Sequence, residues 1–139
     1  MNLLQLAKAS MARLAPRGKW TQGRHRTPTG AVCMVGAIDA VLERKSEVHP
    51  MGAKLIKLLA EEIGPPTITA AQWWRHDLNT VMSFNDKTKT NKKNVLAVYQ
   101  RVIDKLQARR AKRTVKNLLK LAQSGAAEEM AELNKAKVS

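Results

Sequence analysis

A chain of 139 residues with 25 Lys and Arg against 11 Asp and Glu is one domain in length and carries a net charge of +14. An apolar fraction of 44% is enough to bury a core, which excludes a disordered chain. Cys33 is the single cysteine, which excludes an intrachain disulfide and fits a reducing cytoplasm, and no apolar run reaches the roughly 20 residues of a membrane span.

Leu3, Leu4, Leu6, Ala7, Met11, Leu14 and Ala15 recur at helical spacing and predict a first helix on the core, stopped by Pro16 and Gly18. Lys8 and Arg13 interrupt this apolar pattern, so it is not expected to be a secretion leader. Pro28-Thr29-Gly30 marks a turn, and the alternating runs beside it admit a short β-hairpin near residues 20–32, anchored by Trp20. Arg17, Lys19, Arg24, His25 and Arg26 form a basic cluster, with no acid before Asp39. Cys33 to Leu42 reads as a buried helix in which Gly36 lets another backbone approach. After a polar break from Glu43 to His49, Pro50 suits the first turn of a helix from Met51 to Ile63. Gly64-Pro65-Pro66 ends it. Thr67 or Thr69 then caps a helix bearing Ile68, Trp73, Leu78, Val81, Met82 and Phe84, which Asn85-Asp86 closes.

The charge concentrates from Lys87 to Lys120, where twelve Lys and Arg face the single acid Asp104. Val95, Val98, Val102, Ile103 and Leu106 run through this stretch at three- to four-residue spacing, so it predicts a helix with one side on a core and cations on the other. Ser124-Gly125 marks a helix stop, or a break and restart. Glu128, Glu129 and Glu132 then open a final short helix, where acids suit the helix dipole. The expected fold is mainly α: a small helical domain of about five helices over residues 1–106, and a basic helical extension over 107–139 with a partly mobile tail.

Catalytic chemistry finds little support. A nucleophilic thiol needs a base, and His25, His49 and His76 stand at no recognisable spacing to Cys33, which lies in an apolar run typical of an inert thiol. No pair of metal ligands, no phosphate-binding glycine loop and no carboxylate pair stands out. Neither a catalytic residue, a metal nor a cofactor is expected.

Four short elements carry a resemblance. They are Trp20-Thr21-Gln22-Gly23, Thr29-Gly30-Ala31-Val32-Cys33-Met34-Val35-Gly36-Ala37-Ile38, Phe84-Asn85-Asp86, and Thr90 with Asn94-Val95-Leu96. In order and spacing, over roughly residues 3 to 106, the chain resembles a small family of actinobacterial and actinophage proteins of unknown function. The resemblance implies a shared small fold and a phage origin, and no activity. Its motif residues Trp20, Gly23, Cys33, Gly36, Asn85 and Asp86 read as architecture: Trp20 packs with Cys33, Gly23 turns the chain, Gly36 admits a close helix, and Asn85-Asp86 ties a helix end to the next loop. The acid that the family pattern places three residues after Thr90 is Lys93 here, which weakens a cap at that position.

The basic helix has a clear mechanism, because each Lys or Arg on a phosphate releases condensed counterions. Its content of Ala108, Ala111 and Val115 between Gln107 and Asn117 is too small to insert into lipid, so no membrane partner is expected. The expected function is non-enzymatic binding of nucleic acid, DNA or RNA. The contacts would come from Arg101, Lys105, Arg109, Arg110, Lys112, Arg113, Lys116 and Lys120, with Arg24 and Arg26 added if their loop lies nearby. The alternative is a protein-interaction module that engages an acidic host protein, or forms a homodimer through the long helix and its Leu118, Leu119 and Leu121 cluster.

Overall fold

The computed structural model describes residues 1–64 and 76–138. Among these residues lie five helices: α1 (Leu3–Leu14), α2 (Met34–Leu42), α3 (Pro50–Ile63), α4 (His76–Asp86) and α5 (Lys92–Val138). Thr67, Ile68, Thr69 and Trp73, expected at the start of the fourth helix, lie outside the described residues. The chain divides into two units, Met1–Leu106 and Gln107–Ser139.

Local chemistry sets where the helices begin. Asn2 and Gln5 close a reciprocal capping box on α1, each side chain accepting the other's backbone N–H at 2.8 Å. The Cys33 thiol caps α2, accepting from Gly36 N at 3.2 Å. His49 caps α3 through its Nδ1, and Pro50 fills the first helical position, where no N–H is needed. For α5 the cap is Asn91 rather than Thr90. Asn91 and Asn94 exchange side chain–backbone hydrogen bonds of 3.0 and 2.9 Å. The amide of Asn94 thus supplies what an acid would supply one register earlier, and Lys93 weakens nothing.

The core lies within the first unit. α1 packs on α2 and α3 on α4, and the beginning of α5 contributes Val95, Val98, Tyr99, Val102 and Ile103 to the same cluster. Tyr99 is fully buried, and its Oη donates to the carbonyl of Met34 at 2.7 Å, so the one phenol in this core has its partner.

Residues 19–33 do not form a hairpin, and no strand is present among the described residues. Two isolated bridges converge instead on the buried Val32, one parallel from Trp20 and one antiparallel from Arg26. Gly23 and Gly30, at φ +79° and +85°, turn the chain after a few residues, so neither pairing extends into a ladder. The close approach at Gly36 is likewise made by this loop and not by a helix. A Cβ there would stand 2.2 Å from the carbonyl oxygen of His25.

Asn85 joins these parts. It is 1% exposed, at the end of α4. Its Oδ1 accepts from the indole Nε1 of Trp20 at 2.8 Å and from Met34 N, the first amide of α2, at 3.0 Å. Its Nδ2 donates to Thr21 O at 3.1 Å and to Asp86 Oδ1 at 2.9 Å. Gly23 N also donates to Asp86 Oδ1, and Gln22 Nε2 donates to the carbonyls of Asn85 and Lys87. Trp20 is therefore fixed by the amide of Asn85, and Asn85-Asp86 ties α4 to the 20–23 loop and to the start of α2.

Removing this amide orphans a buried backbone N–H and the indole N–H together. Asn85→Ala is expected to lose about 3 kcal/mol in urea unfolding, whereas Asn94→Ala at the exposed cap loses only about 1 kcal/mol.

Candidate nucleic-acid interface

The second unit is helical throughout its described residues, and the expected break at Ser124-Gly125 does not occur. Gly125 is not in the left-handed conformation that ends helices, and it sits among Leu, Ala, Gln and Glu. One interior glycine costs about 1 kcal/mol relative to alanine, and its helix-forming neighbours carry the helix through.

Residues 107–134 are all exposed. Arg109, Arg110, Lys112, Arg113, Lys116 and Lys120 stand there without an acid before Glu128, and none has an ion-pair partner among the described residues. At 3.6 residues per turn, Arg109, Lys112, Arg113, Lys116 and Lys120 share one flank, while Arg110 lies on the other. The flank is about 16 Å long at 1.5 Å per residue. It is a row of exposed cations without an ion-pair partner among the described residues, the form that suits repeated phosphates.

The other four nominated residues belong to the first unit. Arg24 and Arg26 are exposed on the 19–33 loop. Arg101 and Lys105 are engaged with Glu62 at the end of α3: Arg101 Nε lies 3.0 Å from Oε1 and Lys105 Nζ 2.6 Å from Oε2. The hydrogen bond from Lys105, with the nearby Arg101 charge, holds the Glu62 carboxyl below its ordinary range. Part of the positive charge of these two side chains is thus spent inside the fold. Sequence spacing gave no sign of this, because Glu62 lies 39 and 43 positions away.

The structure also brings together a pair that spacing missed. His25 Nδ1 lies 3.6 Å from Cys33 Sγ. The two line a small cleft of about 100 Å³ with Asp86 and Met82, below the usual size of a small-molecule site. Cys33 is 6% exposed, and burial pushes its thiol above the ordinary value despite the hydrogen bond from Gly36 N. A protonated, buried thiol is a helix cap and a poor nucleophile. Among the described residues, no group of three potential ligands could hold a metal ion.

The Glu62 cluster has a defined pH signature. A depressed carboxyl pKa contributes stability above the unfolded value, and this is lost as pH falls through the folded one. Glu62→Gln is expected to be less stable than the parent by up to about 1 kcal/mol at neutral pH, since both cations are half exposed. The difference should close in acid, as read by urea unfolding across a pH series.

Among the described residues, no helix is long and apolar enough to cross a membrane. No curated protein and no solved structure matches the chain. One family does, and its match runs from the cap of α1 through the core-forming part of α5, stopping where the exposed basic flank begins. Over residues 2–105 the chain is a member of the family of unknown function DUF6197.

Proposed function

We propose that this is a non-enzymatic nucleic-acid-binding protein whose contact surface is the cationic flank of α5 between Arg109 and Lys120. The observation that carries the reading is the contrast between two sets of cations on one helix. Arg101 and Lys105 are paired with Glu62, while Arg109, Lys112, Arg113, Lys116 and Lys120 are exposed, aligned and unpaired. Solubility alone does not call for such alignment, and a solvated helix face normally intersperses acids. The contacts would be to the phosphate backbone, of DNA or RNA, and would position the chain without reading sequence. The motif resemblance to actinobacterial and actinophage proteins supports a phage-encoded or bacterial origin, with a cytoplasmic setting.

A protein-interaction reading is favoured by a separate observation. Val115, Leu118, Leu119, Leu121, Met130 and Leu133 are 56–69% exposed on the same helix. An acidic host protein would use both the cations and this apolar surface.

Five phosphate contacts imply that log K falls against log salt with a slope near −4.5 for duplex DNA, about 0.9 per contact. Neutralising Lys112 and Lys116 together is expected to reduce the slope by about 2. Titration of duplex and single-stranded probes over a salt series reads both numbers. Salt-insensitive binding, or none, removes the proposal.

A further inference from the structure

The first unit has cations of its own apart from those held by Glu62, and three of them meet at one concavity. Arg13 stands in the last turn of α1, Lys19 follows the turn at 16–18, and Arg26 lies on the 19–33 loop. They line a cleft of about 440 Å³, within the size range of small-ligand sites. No Asp or Glu lines it among the described residues. A second cleft, of about 560 Å³, shares Arg13 and Arg26 and adds Arg44 and Lys45, but there Asp39 and Glu43 stand against them. The unopposed charge therefore belongs to the first cleft.

Short-range bonds fix its walls. Lys19 N donates to Pro16 O at 3.1 Å and Val32 N donates to Lys19 O at 2.8 Å, so the backbone of Lys19 is held between the end of α1 and the buried Val32. A turn closed on Thr27 forms another part of the wall. Gly30 N donates to Thr27 O and Ala31 N to Thr27 Oγ1, both at 3.0 Å. Lys19 is half-buried, and its Nζ donates to Thr29 O at 3.1 Å. An ammonium has three donors, so the other two remain for a ligand. Gly30 brings no side chain to cover them, where a Cβ would stand 3.7 Å from Nζ. Arg13 and Arg26 are exposed, and neither guanidinium has a hydrogen-bond or ion-pair partner among the described residues. Each keeps its full planar fork of N–H donors.

The helix dipole explains one of these cations and not the set. Arg13 suits the C-terminal turn of α1, whereas Lys19 and Arg26 lie on loops. Solubility does not call for three cations around one concavity either. The number of charges selects the ligand. A carboxylate carries one negative charge and is satisfied by one guanidinium fork. A phosphate diester inside a strand also carries one. A phosphate monoester carries close to two at neutral pH and presents three strong acceptor oxygens, which two forks and an ammonium can share.

We propose that the cleft formed by Arg13, Lys19 and Arg26 binds a phosphate monoester, that of a small phosphorylated molecule or of the phosphorylated end of a nucleic-acid strand. Ala12, Pro16 and Val32 line the same cleft and give the carbon part of such a ligand an apolar surface. The site lies wholly within the first unit and does not rest on the reading of the α5 flank.

The test uses the full chain with Lys112, Arg113, Lys116 and Lys120 changed to Gln, which neutralises most of the α5 flank and alters no residue of the first unit. Amide resonances are followed by NMR at fixed ionic strength as two pairs of probes are added. One pair is adenosine monophosphate and adenosine; the other is a short single strand with a terminal phosphate and the same strand ending in a hydroxyl. The phosphorylated probes should shift Lys19, Thr27 and Gly30 saturably, and their unphosphorylated counterparts should bind at least about tenfold more weakly. Arg13→Gln and Arg26→Gln should each weaken the phosphorylated probes about tenfold. Lys57→Gln, an equal loss of charge at an exposed position of α3, should leave them unchanged. Tighter binding of the monophosphate supports the site as one for a free ligand, and tighter binding of the phosphorylated strand supports it as one for a strand end. No saturable shift at these residues, equal affinity within each pair, or an equal effect of Lys57→Gln would overturn the proposal. Because the α5 flank is already neutralised, such a failure would leave the nucleic-acid reading of that flank standing.

Discussion

The first unit depends on one side-chain amide. Asn85 uses both faces of its carboxamide, accepting from the indole of Trp20 and the first amide of α2 while donating to Thr21 and Asp86. In a buried setting each of these groups would be costly to leave unpaired. The amide fixes three chain segments at once: the end of α4, the loop after α1 and the start of α2. Packing alone cannot do this, because apolar contact is non-directional and would tolerate small slides of one element over another. Gly36 adds a steric condition at the same junction, since only a residue without a side chain lets the carbonyl of His25 lie so near α2.

A second constraint is electrostatic and divides the cations by environment. The composition supplies a large positive surplus, but the fold does not distribute it evenly. Where α5 lies on the core, two of the basic residues on its outer side, Arg101 and Lys105, find Glu62. Past Leu106, among the described residues, they have no ion-pair partner. Identical side chains on one continuous helix therefore have different availability. That difference, more than the total charge, decides which residues can exchange counterions for a polyanion.

Much of the helical frame was legible from apolar spacing, because burial follows the 3.6-residue period wherever a helix has one inner face. The apolar residues of the start of α5 are those that enter the core, and Pro50, Pro16 and Gly64 punctuate the helices as their backbone limits dictate. What was illegible is of another kind. Three of the four partners of the Asn85 side chain, Trp20, Thr21 and Met34, lie 51 to 65 positions away, and a polar residue shows in sequence only that it needs partners, not which ones. Short alternating runs around Pro28 suggested a hairpin, yet two early glycine turns bend the chain around Val32 instead. At Asn91 and Asn94 a neutral pair does the work assigned to an acid. Ser124-Gly125 carried the local signature of a stop, but a single glycine is outweighed when strong helix formers surround it. In the basic stretch, the sequence displays every cation and hides the acid that claims two of them.

The spacing of the apolar stripe on the second unit has a consequence for shape. Ala111, Val115, Leu119, Ala122, Ala126, Met130 and Leu133 follow one another at steps of four, four and three residues, which repeat every eleven, or 3.67 residues per turn. That value lies slightly above the natural period of the helix, whereas a heptad repeat lies below it. A row with this repeat drifts very little around a straight rod and does not wind to the left. A charged flank set beside such a row therefore keeps one bearing from end to end.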